Sequence, residues 1–329
     1  MIVKTFDAGW GPEWPVKQLE QDILTTYLAP LEVSDKRVVV INSTWYTDEY
    51  HKTVTTWLHN NSVNVIVLVA MLDGAVPRPH QFTQFNAEVV AVGYYPGACQ
   101  LDFWALFLDR YFNQTHTIDL CRVDRIDRAF MCLNRKPHWH RKQFYEELQK
   151  FNLLDKGLVS MGSETNIPLL GLDNPLVAGL TPNSGVDQFG IPNDIATLGS
   201  IGNWQRHFLN VVTETGYDIN SAHFVSEKIY KPILGMRPFL VYDPDSGHRW
   251  LTDRGFNSYV DDFKDITDLD LKNPKNLAPF LVVLSSQQPT YWQKKLVDLN
   301  KKIVYNKQNF YNYVDQQKTQ INKGITCQA

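Results

Sequence analysis

The sequence has few cysteines, no long apolar run and almost no net charge. Its four cysteines, Cys99, Cys121, Cys132 and Cys327, show no CxxC spacing. They therefore predict free thiols of a reducing compartment, not a zinc site or a disulfide framework. The longest apolar run, residues 65–72, is far below the roughly 20 residues of a transmembrane helix. With 32 basic and 35 acidic residues, no global positive charge favours nucleic acid or anionic membranes.

What the sequence does contain is typical of a globular protein with about two domains. Its 329 residues are 43% apolar and 20% charged, which excludes a disordered or fibrous chain. The first residues reach charges, tryptophan and proline too early for a secretory signal, so we expect a cytoplasmic protein without membrane insertion.

Strand-like and helix-like segments alternate along the chain. The strand-like runs are 1–6, 37–41, 63–72, 87–94, 128–133, 208–213 and 238–242. The helix-like segments are 15–27, 47–59, 101–112, 139–151, 226–235 and 291–317. Near-continuous apolar strands between helices indicate parallel sheets covered on both faces. We therefore predict an α/β protein with an N-terminal Rossmann-like domain over 1–125, a second over 126–285 and C-terminal helices over 286–329 that pack back on the body. Two such halves in series would leave a cleft for ligands at the carboxyl ends of their strands.

The most informative stretch, residues 211–242, combines a strand, a polar loop, a short helix and another strand. Ser226 is a good N-cap for the helix, and Glu227 suits its positive end. Free backbone N–H groups at that end can bind a phosphate, and Lys228 adds a full positive charge. Pro232 lies within this helix and predicts a kink or a late helix start.

A second stretch, residues 130–148, places basic side chains after a strand. Asn134 and Arg135 enter the loop, and Arg141 lies at the start of the next helix. Arginine suits bidentate phosphate binding. This stretch therefore predicts a local positive patch.

Together the two stretches resemble the α1,3-fucosyltransferase-like glycosyltransferases and their relatives in viruses, phages and bacteria. The similarity covers residues 126–265 and includes the Ser226-Glu227-Lys228 helix, Gly235 and Pro238. It implies a GT-B fold, with two Rossmann-like domains facing across a cleft, a nucleotide-diphosphate sugar donor and an inverting transfer. It also implies that Arg141 and Lys228 hold the diphosphate and that Glu227 holds the ribose or the sugar. The donor-binding residues expected on this basis are Asn134, Arg135, Arg141, Glu214, Ser226, Glu227 and Lys228.

An inverting transfer needs a carboxylate that deprotonates the acceptor hydroxyl. Asp73 fits because it follows the longest apolar run, and Asp48 and Glu49 follow the strand-like run 37–41 by a short loop. Asp7 closes the first strand. The Asp-Pro-Asp at 243–245 predicts a turn, and His138 and His140, two residues apart, do not share a helix face. We therefore expect no metal at the site.

The donor is expected to be GDP- or UDP-linked, and the acceptor stays open. A glycan is the usual acceptor in the group that the chain resembles. A phage-type enzyme acting on a hydroxymethylated base in DNA is one alternative. A nucleotide-binding module without transferase activity is another. Nothing in the sequence points to an obligate protein partner.

Overall fold

The structure is a computed structural model that describes residues 2–7, 37–42, 47–70, 79–93, 102–112, 123–134, 137–162, 198, 201–214, 225–243 and 247–326. The chain divides into two compact units. The first comprises Met1–Arg110, Gln188–Ile191 and Tyr313–Ala329, and the second comprises Tyr111–Asp187 and Pro192–Asn312. This division falls at residue 110, whereas the boundary predicted from the sequence is residue 125.

The first unit contains a parallel sheet of four strands in the order β1-β2-β3-β4. The strands are β1 (Ile2–Asp7), β2 (Val38–Asn42), β3 (Val65–Ala70) and β4 (Glu88–Gly93), and the helices are α1 (Asp48–His59) and α2 (Phe103–Tyr111). Val39, Val40 and Ile41 of β2 are all fully buried, so both faces of this strand are covered, as a continuous apolar run predicts. On one face, Val54 and Leu58 of α1 pack with Val39 and Ile41.

Helix α1 begins where the sequence predicts. The Thr47 hydroxyl accepts a hydrogen bond from the backbone N–H of Tyr50 at 3.2 Å, which makes Thr47 an N-cap. Asp48 and Glu49 occupy the first turn, where their negative charges favour the positive helix end. This cap is exposed to solvent.

The second unit contains four parallel strands in the order β6-β5-β7-β8. The strands are β5 (Arg128–Asn134), β6 (Gly157–Met161), β7 (His207–Val212) and β8 (Phe239–Val241). The helices are α3 (Trp139–Lys150), α4 (Ile201–Arg206), α5 (Glu227–Leu234), α6 (His248–Asp253) and α7 (Leu277–Ser285). The chain goes from β5 to β6 on one side and then to β7 on the other side of β5. The sheet therefore has a topological switch point between β5 and β7, where ligands of open α/β sheets bind.

A single helix, α8 (Pro289–Thr326), spans 38 residues and ends the described chain. The prediction of several helices after residue 286 is therefore wrong in number. In the second unit, Asn306 of α8 accepts a hydrogen bond from the backbone N–H of Asn257 at 2.7 Å. In the first unit, Gln317 accepts one from the N–H of Asp102 at 3.0 Å. The helix thus provides side chains to both units.

The α/β class and the parallel sheets predicted from the sequence are confirmed. Strand β6 and helices α4, α6 and α7 were not predicted. The helix-like segment 15–27 lies outside the described residues, as does most of 163–202. Among the described residues, no helix is both long and apolar enough to cross a bilayer.

Helix α5 does not start late in response to Pro232. It begins at Glu227 and ends at Leu234, with Ser226 as its N-cap and Gly235 as its C-cap. The proline occupies the sixth helical position, so only one intrahelical hydrogen bond, to the carbonyl of Lys228, is lost. The predicted late start is therefore wrong, and the first turn of α5 is intact.

Gly235 allows the end of α5 to approach Trp204 closely. A Cβ atom at this position would lie 2.5 Å from the Trp204 ring and 2.9 Å from the Lys231 carbonyl oxygen. We expect the Gly235→Ala variant to lose about 1–3 kcal/mol of unfolding free energy in urea denaturation, because the buried ring must move. In a Trp204→Leu background, the same substitution should cost less. An equal cost in both backgrounds would show that the Trp204 ring is not the obstacle.

Candidate functional site

The candidate site lies at the carboxyl edge of the second sheet, at the switch point between β5 and β7. Asn134 is the last residue of β5, and Thr213 and Glu214 directly follow β7. The first turns of α3 and α5 lie at the same edge, because each of these helices follows a strand. Five of the seven donor-binding residues predicted from the sequence are buried there, namely Asn134, Arg141, Glu214, Ser226 and Glu227.

Arg141 is joined to the end of β7 through its guanidinium. Its Nη2 donates to the carbonyl oxygen of Thr213 at 3.0 Å, and the Thr213 hydroxyl donates to Oδ1 of Asn134. Only 2% of Arg141 is exposed. This burial lowers the pKa of the guanidinium, and the nearby negative charges of Glu214 and Glu227 oppose the shift. Strands β5 and β7 and helix α3 thus place one buried cation at the switch point.

Both carboxylate oxygens of Glu214 contact Ser226. Oε1 accepts from the Ser226 backbone N–H at 3.2 Å, and Oε2 lies 2.5 Å from the Ser226 hydroxyl oxygen. Burial raises the pKa of Glu214, and the charge of Lys228 and the hydrogen bonds from Ser226 only partly offset it. Glu214 therefore fixes the residue that caps α5.

Ser226 also contacts Lys228. Its hydroxyl oxygen accepts from the Lys228 backbone N–H at 3.3 Å, which caps the helix, and from the Lys228 ammonium at 3.1 Å. The same ammonium donates to Oε1 of Glu227 at 2.6 Å. Burial acts to raise the pKa of Glu227, but the positive charges of Lys228 and Lys231 outweigh it, so the pKa is lowered. Glu227 is thus held as a carboxylate beside Lys228, whose side chain is 27% exposed.

His140 is a contributor that the sequence does not reveal. Its Nε2 lies 2.8 Å from the carbonyl oxygen of Glu214, and because a carbonyl only accepts, Nε2 carries the proton. Burial is the main cause that lowers the pKa of His140 to about 4, with the charge of Arg141 in the same direction. The ring is therefore neutral at neutral pH and fixes the backbone at Glu214. The feature of the sequence that could have indicated His140 is its position directly before Arg141.

The rings of His138 and His140 stack, with centroids 5.9 Å apart and planes 7° apart. The two rings therefore lie close together although the two residues do not share a helix face. His138 is the N-cap residue of α3 and lies outside the helical periodicity. No group of three or more metal-ligating side chains occurs among the described residues.

The other residues predicted from the sequence have different outcomes. Asp73, Arg135, Pro244 and Asp245 lie outside the described residues. Asp48 is exposed in the first turn of α1, in the first unit. Asp7 is the last residue of β1, where it pairs in register with Asn42 at the carboxyl edge of the first sheet.

The cluster is suited to an anion. Two cations, Arg141 and Lys228, lie beside two carboxylates, Glu214 and Glu227, and burial raises the pKa of Glu214. The partial positive charge at the N-terminus of α5 adds to the charge of Lys228, which is the more exposed of the two cations. The arrangement can therefore hold a phosphate or a diphosphate.

Comparison with known proteins gives no relative. The chain matches no protein-family model, no curated protein and no solved structure.

Proposed function

We propose that this protein is a glycosyltransferase that moves a sugar from a nucleotide-diphosphate donor to an acceptor hydroxyl, with inversion. We further propose that its two α/β units form a GT-B fold. One observation carries the proposal. At the switch point between β5 and β7, Arg141 and the first turn of α5, with Glu227 and Lys228, combine phosphate-binding cations with a hydroxyl-binding carboxylate.

The donor would be held by groups that are already in place. Arg141, Lys228 and the positive end of the α5 dipole bind the diphosphate. Glu227 accepts hydrogen bonds from hydroxyls of the ribose or the sugar. Lys228 and Glu227 contact each other at 2.6 Å. When the donor binds, each of them gains a partner in the ligand, so neither charge is left uncompensated. Asn134 positions Arg141 through Thr213, and Glu214 positions Ser226. Arg135 precedes helix α3.

The transfer step needs a base and a stabilised leaving group. A carboxylate of the first unit, Asp73 or Asp48, takes the proton of the acceptor hydroxyl. The acceptor oxygen bonds to the anomeric carbon while the bond from that carbon to the diphosphate breaks. The electron pair leaves with the diphosphate, and Arg141 and Lys228 stabilise its charge. No metal is needed for donor binding in this scheme.

Titration calorimetry with GDP and UDP tests the proposal. We expect saturable binding of one of them, weakened at least tenfold, or about 1.4 kcal/mol, in the Lys228→Ala variant. Lys264→Ala is the matched control, because Lys264 pairs with Asp261 at 2.9 Å on an exposed surface of the same unit. The control should bind like the wild type. Absence of binding to both nucleotides would remove the basis of the donor site.

Turnover separates the proposal from its alternatives. The matching nucleotide sugar should release its nucleoside diphosphate slowly to water and faster with a suitable acceptor. Acceleration by oligosaccharides would identify a glycan acceptor, and acceleration by DNA with hydroxymethylated bases would identify the DNA-modifying alternative. Tight binding with no release under any condition would favour a nucleotide-binding module.

A further inference from the structure

Trp139 is a highly exposed aromatic residue at the start of α3. Of the large apolar side chains in the described ranges, it has the largest exposed fraction, 61%. It is the first residue of α3, where an indole neither caps the helix nor adds favourable charge. The two residues that follow, His140 and Arg141, are each only 2% exposed. The exposed indole thus directly precedes two buried residues of the candidate site.

The indole belongs to the rim of the candidate site. Helix α3 follows β5, so its first residue lies at the carboxyl edge of the sheet. The Trp139 ring meets the His140 ring edge to face, with centroids 5.6 Å apart and planes 82° apart. His140 in turn bonds the carbonyl of Glu214 at 2.8 Å. A chain of direct contacts thus runs from the exposed indole to the residue that fixes the start of α5.

We propose that Trp139 is the platform on which the base of the nucleotide donor stacks, an inference that rests on the proposed function. A nucleoside diphosphate is a flat base joined through ribose to two phosphates. With the phosphates at Arg141 and Lys228, the indole of Trp139 is the exposed aromatic ring in the first turn of α3, at the same edge of the sheet. Stacking of a base on an aromatic ring is sequence-tolerant, because every base has a π-face. Trp139 therefore supplies affinity for the base, and it does not select which base is bound.

The test compares a ligand that has a base with one that lacks it. Wild type, Trp139→Ala and Trp139→Phe are titrated by calorimetry with GDP, UDP and inorganic pyrophosphate. We expect Trp139→Ala to weaken binding of the preferred nucleoside diphosphate about fivefold or more and to leave pyrophosphate affinity within about twofold. Trp139→Phe should retain most of the nucleotide affinity. Phe151→Ala is the matched control, because Phe151 is an exposed aromatic residue that caps the other end of α3.

Each other outcome overturns the inference in a distinguishable way. If Trp139→Ala binds the nucleoside diphosphate as tightly as wild type, the base lies elsewhere while the donor site stands. An equal loss for nucleotide and pyrophosphate would mean that Trp139 supports the phosphate site and not the base. If wild type binds neither ligand, the proposed function fails, and the base platform fails with it.

Discussion

We expect the Arg141→Met variant to unfold with about 3 kcal/mol less free energy than the wild type at neutral pH. Arg141 is a buried cation beside Glu214 and Glu227. Methionine fills similar space without charge, so the two carboxylates lose one of the positive charges that compensate them. Urea denaturation measures the difference. Lys142→Met is the matched control, because it removes the same charge from the next, exposed residue and should change stability by about 0.5 kcal/mol or less.

The pH dependence identifies the cause of this loss. The pKa of Glu214 in the folded protein is raised by burial, so its contribution to stability is present below its ordinary pKa and is lost as the pH rises through the folded pKa. Removal of Arg141 raises that pKa further. The penalty of Arg141→Met should therefore be smaller in a mildly acidic buffer than at neutral pH, because Glu214 with its raised pKa takes up a proton as the pH falls. A penalty that is equal at both pH values would exclude the charge explanation.

The same variant should also bind the preferred nucleoside diphosphate more weakly. A hydrogen bond to a charged group contributes about 1.5–3 kcal/mol, which corresponds to a loss of roughly 10- to 150-fold in affinity. Calorimetric titration of the folded variant, at low temperature and without denaturant, measures this loss of affinity. Unchanged affinity would remove Arg141 from the diphosphate site.

A second large effect is expected at the N-cap of α5. Ser226→Ala removes the cap, which costs about 1 kcal/mol, and leaves an oxygen of Glu214 without its donor in a buried place, which costs about 1–3 kcal/mol more. The sum is about 2–4 kcal/mol at neutral pH. Thr47→Ala is the matched control, because Thr47 caps α1 with the same kind of bond but is exposed. It should cost only the cap term of about 1 kcal/mol.

A double-mutant cycle assigns the excess to Glu214. In a Glu214→Gln background, the buried charge is absent, so Ser226→Ala should cost about as little as Thr47→Ala. Ser226→Ala should also weaken nucleoside diphosphate binding, since it removes the hydroxyl that holds the Lys228 ammonium. Additive effects of the two substitutions on the free energy of unfolding would show that Glu214 and Ser226 are not energetically coupled.

Local pattern was sufficient for the main strands and for the two caps. The runs that became β2 and β3 are continuous and apolar, and only a strand covered on both faces buries every residue of such a short run. Thr47 and Ser226 were identifiable as caps because a hydroxyl directly before a helix satisfies its own first N–H groups. These features depend on residues within a few positions of one another.

Short segments without a distinct period were not identifiable in this way. Strand β6 has five buried residues but begins with glycine and contains serine, and α7 is apolar on nearly all sides. Periodicity cannot separate strand from helix in such runs. Packing against the rest of the second unit decided both.

The sequence by itself determined the fold class, the helix caps and the residue types of the candidate site. Only the tertiary structure decided that they form one site. The order β6-β5-β7-β8 brings Arg141 to Thr213, 72 residues away, and His140 to the carbonyl of Glu214, 74 residues away. It also gave Glu214 a positioning role, since both of its oxygens contact Ser226. Strand order and burial depend on long-range packing, and neither is encoded in the local spacing of residues.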